Sequence, residues 1–295
     1  MIGRISSSTL TQQTLRTLQS HLQDRDRLQN QATSQRAFRV PSEDPAAAAT
    51  TLGVHGEQSR VAQYARNIGD GIAWVTSADS ALASSVGMLN RARDLIVQGA
   101  NSGALNDAAR ASIAAELDGI SKELLSQANT TMAGRNIFAG TSDEGEAFDP
   151  TTFAFRGVPG DGVQRRVDDD TSVRVDVDGA QVYGEGAGSV FALLGDIAAQ
   201  LRSGAAVGPR LDDIDARLKT MVSAQGAVGA RQAQLERASS QNLASSTDLE
   251  ARRASVENVD SVEVLVKLQS AELVYQSALQ VTAKSLQSNL LEFLR

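Results

Sequence analysis

Apolar residues recur along this chain at alternating spacings of four and three, over a length that exceeds an ordinary globular helix. Val61, Ala65, Ile68, Ile72, Val75, Asp79, Leu82, Val86, Leu89, Arg93, Ile96 and Ala100 keep the rhythm without a break. Ten of these twelve are apolar, which marks a coiled-coil seam. One helix over residues 57–100 would reach about 65 Å. "NSGALND" interrupts it, and Asn106 has the side chain to cap a second helix. That helix carries Ala109, Ile113, Leu117, Ile120, Leu124 and Ala128 on one face, so the pair is expected to form an antiparallel hairpin.

A second long run begins at Leu211. Leu211, Ile214, Leu218 and Met221 start a heptad that continues through Gln225, Val228, Gln232, Leu235, Ser239, Asn242, Ser246 and Leu249. Five of the last eight are polar, so this seam is weak by itself. After "RRASVENVD" a new stripe follows at Val264, Leu268, Ala271, Tyr275 and Ala278. Leu279, Ala283, Leu286, Leu290 and Phe293 repeat the spacing one position on, while Val266, Leu273, Val274 and Val281 lie off both stripes. A helix apolar on more than one side needs more than one partner. At the N-terminus Leu10, Leu15, Leu18, Leu22 and Leu28 stand among Gln, Ser, Thr and Arg, a marginal helix in isolation.

Between the long runs the pattern changes. Residues 136–190 hold or adjoin Phe138, Phe148, Phe153, Phe155, Tyr183 and Phe191. "FAFRG", "VQRRV" and "SVRVDV" alternate as strands do, with turns expected at "PGDG" and "VDGA". This predicts a small β-rich insertion with its own aromatic core, followed by a short amphipathic helix over "SVFALLGDIAAQL". The prolines, at 41, 45, 150, 159 and 209, leave residues 46–149 and 210–295 free for long helices. The corner "RVPSEDPAAAATTL" is built from Pro41, Ser42, Asp44 and Pro45; Asp44 is placed to cap a helix with Pro45 at its first position.

The fold class expected is therefore mainly α, with long antiparallel coiled-coil helices from both ends of the chain and a β-rich insertion between them. Residues 1–40 form an N-terminal assembly helix, disordered in the free chain. Residues 41–135 form a helical hairpin, 136–190 the insertion, 191–254 the returning helices and 255–295 a C-terminal assembly helix. The assembly residues expected are Leu10, Leu15, Leu18, Leu22, Leu268, Leu279, Leu286, Leu290 and Phe293.

Composition narrows the function. Aromatics are only 4% and the net charge is −7 with four lysines, which gives no drive towards nucleic acid or an anionic membrane. The absence of cysteine excludes disulfides, thiolate metal sites and a cysteine nucleophile. No apolar run reaches the roughly 18 residues of a membrane span, and "MIGRISSSTLTQQTLRTLQS" has no apolar signal region. His21 and His55 lie in different segments without metal-ligand spacing. "RNIFAGT" and "GVPGDG" do not match a phosphate loop. Asp168, Asp169, Asp170, Asp176 and Asp178 could offer oxygens to calcium, but the twelve-residue loop with its terminal Glu is missing, and solvated hairpin turns are the better reading. No catalytic residue, cofactor or metal is expected.

Several motifs resemble one family in order. "VPSEDPAAAA" resembles the S-D-D-P-A-A corner of bacterial flagellins and hook-associated proteins, and residues 66–72, "RNIGDGI", resemble their N-x-x-D-G-I stretch. "TSADSALASSVGMLNRARDLIVQGAN" is similar to their long helix, and the similarity resumes at "GAVGARQAQLE". "GRNIFAGTSDEGEAF" and the ending "TAKSLQSNLLEFLR" resemble the hook-associated protein 3 family of hook–filament junction proteins more than filament flagellins. The resemblance implies a non-catalytic building block, extracellular in the flagellum and exported by the flagellar type III apparatus without a cleaved signal. Its implied partners are further copies of itself in a ring or helical layer, another hook-associated protein on the hook side, flagellin on the filament side and a cytosolic export chaperone. Filament flagellin proper, and a secreted coiled-coil adaptor outside flagella, remain the alternatives.

Overall fold

A computed structural model describes the backbone of residues 2–100, 106–158 and 162–293, and the side chains of these except 2–8, 10, 11 and 285–293. Four long helices dominate: α1 (Ile2–Ser34), α2 (Pro45–Ala100), α6 (Leu211–Glu257) and α7 (Ser261–Phe293). Between α2 and α6 lie α3 (Asp107–Ala128), two two-stranded ribbons, the short helix α4 (Gly179–Tyr183) and α5 (Val190–Ser203). The chain divides into two compact units, Val61–Ser245 and a second made of Met1–Arg60 with Ser246–Arg295.

In the unit Val61–Ser245 the predicted seam is the buried face of α2. Ile68, Val75, Leu82, Leu89 and Ile96 are each at most 2% exposed. Asn106 caps α3 by accepting from the Ala109 N–H, and Ile113, Leu117, Ile120, Leu124 and Ala128 point inward. Arg91 pairs with Glu116 at 2.7 Å, nine residues before the end of α2 and nine after the start of α3, as an antiparallel return requires. The helix α6 also runs antiparallel to α2. Arg93 meets Asp215 at 2.6 Å, and Asn242 donates to the Val61 carbonyl at 2.9 Å, so one number rises as the other falls. The polar residues of the weak seam are thus tolerated because one of them, Asn242, is satisfied across it. Gly71 allows the close approach: a Cβ there would stand 3.2 Å from Leu235 and 3.3 Å from Val175.

Two findings revise the expected insertion. "FAFRG" is not a strand; only Phe155 pairs, in a single bridge with Phe148. "VDGA" is not a turn either, because Asp178 accepts from the Ala180 and Gln181 N–H groups and so starts α4. "PGDG" falls largely on residues outside those described. The ribbons are β1 (Thr131–Met132) with β2 (Arg135–Asn136), and β3 (Gln164–Arg166) with β4 (Ser172–Arg174), both antiparallel. The aromatic cluster exists, with Phe138, Phe148, Tyr183 and Phe191 fully buried and ring centroids 5.3–5.9 Å apart. It is continuous with the helical core instead of separate from it. Phe191 belongs to α5, which packs on α3. The Ser85 hydroxyl donates to the Ala81 carbonyl, which leaves the Tyr183 O–H as donor to Ser85. Asn129 at the end of α3 clamps the same region, accepting from Ala147 and Phe148 N–H and donating to the Phe148 carbonyl.

In the other unit, α1 packs on α7 and the two interhelical connectors are zipped together. Ala37 N–H donates to the Glu257 carbonyl at 2.7 Å, and Val259 N–H donates to the Gln35 carbonyl at 3.3 Å, around the bridge Arg36–Asn258. Pro45 opens α2, and Asp44 Oδ1 accepts from Ala46 and Ala47 N–H at 3.1 and 2.9 Å, as the corner motif requires. Pro41 and Ser42 lie exposed in the connector, where Glu43 also accepts from the Arg39 N–H. Asp260 caps α7 in the same manner through Val262 and Glu263.

Candidate assembly surface

The two units differ in how they dispose of apolar surface. Of the 43 buried apolar residues among those described, 39 form the single core of Val61–Ser245. The other unit holds only Leu28, Val54, Leu249 and Val264, and none of these is less than 6% exposed. Among the described residues it also carries ten of the fourteen exposed large apolar side chains: Leu15, Val40, Leu52, Val262, Leu265, Val266, Leu273, Val274, Leu279 and Val281. Seven of the ten belong to α7.

Helix α7 is apolar on two sides. Its first stripe, Val264, Leu268, Ala271, Tyr275 and Ala278, is buried or half-buried. Arg25 of α1 places its guanidinium 5.2 Å from the Tyr275 ring centroid on this side. Val262, Val266 and Leu273 fall within about 40° of one another on the opposite side at roughly 100° per residue, with Val274 and Val281 beside them. These five are 46–73% exposed. Exposed apolar side chains gathered on one side of a helix make that side a candidate interaction face.

Of the assembly residues expected from the sequence, Leu15 is 47% and Leu279 41% exposed, whereas Leu18, Leu22 and Leu268 are half-buried between the terminal helices. The side chains of Leu10, Leu286, Leu290 and Phe293 lie outside those described. Leu268 thus belongs to the packed stripe and Leu279 to exposed surface, while further exposed apolar residues of α7 lie off both stripes. Val262 and Leu265 were not singled out. The signal for Val262 was available, since it extends the Val266–Leu273 side by one turn towards the N-terminus of α7, whereas Leu265 flanks that side about 100° from Val266.

The remaining candidate chemistry resolves into local structure. Asp176 pairs with Arg174 at 2.8 Å and accepts from Val163 N–H, Asp178 caps α4, and Asp169 accepts from the Tyr64 hydroxyl at 2.8 Å. No group of three or more metal-type ligands converges among the described residues. His55 lies 3.2 Å from Glu257. The seam charge Arg93 is paired across helices with Asp215, whose hydrogen bond raises its pKa further. No helix among the described residues is long and apolar enough to cross a membrane.

Long paired helices from both ends of the chain, a central insertion and an unpartnered terminal face together describe a flagellin-type subunit. Models of the bacterial flagellin N-terminal and C-terminal helical regions match residues 5–143 and 211–294, and the chain belongs to the flagellin family. Its curated relatives are hook-associated proteins: it is 30% identical over 181 residues to flagellar hook-associated protein 3 of Salmonella typhimurium and 27% identical to that of Escherichia coli. Each match covers 61% of this chain and 56% of the relative, so the chain spans little more than half the length of the proteins it matches. The fold is shared with solved structures at low identity. A putative flagellar hook-associated protein from Vibrio parahaemolyticus aligns with a TM-score of 0.67 at 22% identity, over 73% of this chain and all of that one. The flagellar junction protein FlgL from Legionella pneumophila aligns at 0.58 and 16%, over 72% of this chain and all of that one.

Proposed function

We propose that this chain is a structural component of the bacterial flagellum that forms a layer between hook and filament. The supporting observation is the imbalance between its two units: a complete core in Val61–Ser245 and an exposed apolar face on α7. The likeness to hook-associated protein 3, named for the hook, favours a place next to the hook over the filament. Seven apolar side chains on α7 are 41–73% exposed, and burying that remainder, at about 1.5–3 kcal/mol per whole side chain, gains roughly 6–12 kcal/mol. That is comparable with the roughly 4–15 kcal/mol that association costs in lost freedom of motion. The face is large enough to drive packing against neighbouring subunits.

In this reading α1 and α7 form a loose pair before assembly and gain their second partner in the layer. The neighbours are copies of the chain itself, with another hook-associated protein on the hook side and flagellin on the filament side. An export chaperone in the cytosol would cover the C-terminal segment until the type III apparatus exports the chain without cleavage. The chain acts by packing and carries out no reaction.

Replacing Val266, Leu273 and Val281 together with Ser tests this. All three are exposed in the single chain, so the unfolding free energy of the purified protein is expected to stay within about 0.5 kcal/mol of wild type per site. The amount of variant recovered in sheared flagella is expected to fall to background. Wild-type incorporation of the triple variant would contradict the proposal.

A further inference from the structure

A cleft of about 460 Å³ opens in the unit Val61–Ser245 between α6 and the segment from β4 to α4. Its floor is a face of α6 with small side chains, Thr220, Ser223 and Ala227. Lys219 stands at one end, and Arg231 with Arg174 at the other. Arg174 is already matched to Asp176. Arg231 donates to the Asp176 carbonyl at 2.6 Å, and its pKa is held below the usual value by burial first and by Arg174 second. Asp178 also lines the cleft, with its carboxylate engaged by the Ala180 and Gln181 N–H groups. The cations left without a carboxylate of their own are Arg231, half-desolvated at one end, and Lys219, exposed at the other, about 18 Å apart along the helix.

The same unit presents the opposite charge elsewhere. The β3–β4 turn carries Asp168, Asp169 and Asp170, all exposed. Arg166 reaches back to the Asp168 and Asp169 carbonyls, so the tip keeps a net charge of −2 (three carboxylates against one guanidinium). The Tyr64 hydroxyl and the Asn67 amide, which donates to the Arg166 carbonyl, fix the turn against α2. With Arg93 level with Asp215 and Val61 with Asn242, Tyr64 lies about 18 residues, roughly 27 Å, along α2 from the middle of the cleft.

We propose that the acidic β3–β4 turn of one copy docks in the basic cleft of a second copy. This rests on the reading of the chain as a self-assembling layer and names the contact that makes it selective. The two surfaces differ and are axially displaced, so the contact is head-to-tail, the kind that generates rings or helical arrays instead of closed pairs. The turn and one wall of the cleft come from residues 144–210, which neither flagellin model covers. Terminal helices common to the family cannot distinguish one of its members from another, and a charged contact built from the chain's own insertion can.

The absence of cysteine makes a clean test possible. One full-length chain carries Thr171→Cys at the turn and another Ser223→Cys in the cleft, both at exposed positions. Mixed at low ionic strength with a short bismaleimide, they are expected to give a crosslinked dimer that neither gives alone. Adding Lys219→Glu to the cleft chain should lower the yield about tenfold, and Asp170→Lys in the turn chain should restore it. No crosslink in the mixture, indifference to Lys219→Glu, or dimers from one variant alone would each overturn the contact. So would a Lys219→Glu chain lost from flagella with no crosslink in the mixture, because the acidic partner would then be a different protein. If the contact fails while the α7 triple variant is still lost from flagella, the layer reading stands. If the triple variant incorporates normally, that reading falls as well.

Discussion

Asp149 shows how a single side chain fixes a turn within the insertion. Its carboxylate accepts from the Thr152 and Thr151 N–H groups and pairs with Arg156, and these hydrogen bonds, Thr152 first, push its pKa well below the usual 3.8. Folding therefore favours the charged form. The contribution is complete above pH 3.8 and is lost as the pH falls from there through the lower folded-state value. In Asp149→Asn, the deficit in thermal midpoint is expected to be constant from pH 7 to about pH 4 and to shrink below it, as followed by circular dichroism. A constant deficit down to pH 2 would show that the charge is not what holds this turn. Tyr183 acts differently. Burial raises its pKa, and its hydroxyl reaches Ser85 of α2. Tyr183→Phe keeps the ring contacts and leaves Ser85 bonded to Ala81, so the expected loss is about 1 kcal/mol in urea unfolding. A loss above about 3 kcal/mol would mean that the ring itself is displaced.

Among the elements, spacing was most legible where one face meets one partner. The α2 seam, the Asn106 and Asp44 caps and the buried face of α3 all follow from local pattern, because period and capping chemistry are properties of adjacent residues. The zipper between Gln35–Ala37 and Glu257–Val259 was not legible for the same reason, because it joins residues from opposite ends of the chain. The Asp178 cap of α4 is local and could have been read from the sequence, since the same Asp–Gly pair suits a turn or a helix start. On α7 the pattern revealed two apolar sides but not which one α1 covers. The difference between them is dynamic as well as geometric. Among the described residues Val61–Ser245 has 39 buried apolar side chains against four in the other unit, so backbone amides of α1 and α7 are expected to open far more readily. Hydrogen exchange on the free chain should show α2 and α3 protected for hours within residues 68–96 and 113–128, while residues 12–28 and 264–282 exchange within minutes. Strong protection of both terminal helices in the free chain would contradict the proposal that they are loose before assembly.

For the whole molecule, the class was readable because several motifs occur in family order across most of the chain, and the flagellin models match the corresponding regions. The role within the flagellum is a narrower question, and packing alone does not separate a junction layer from a filament. The proposed layer makes a spatial claim that the filament reading does not share. Antibody labelling of intact flagella for this chain, viewed by electron microscopy, tests it most directly. A single narrow band at the hook–filament boundary is the result expected. Label distributed along the length of the filament, or absent from flagella, would contradict it.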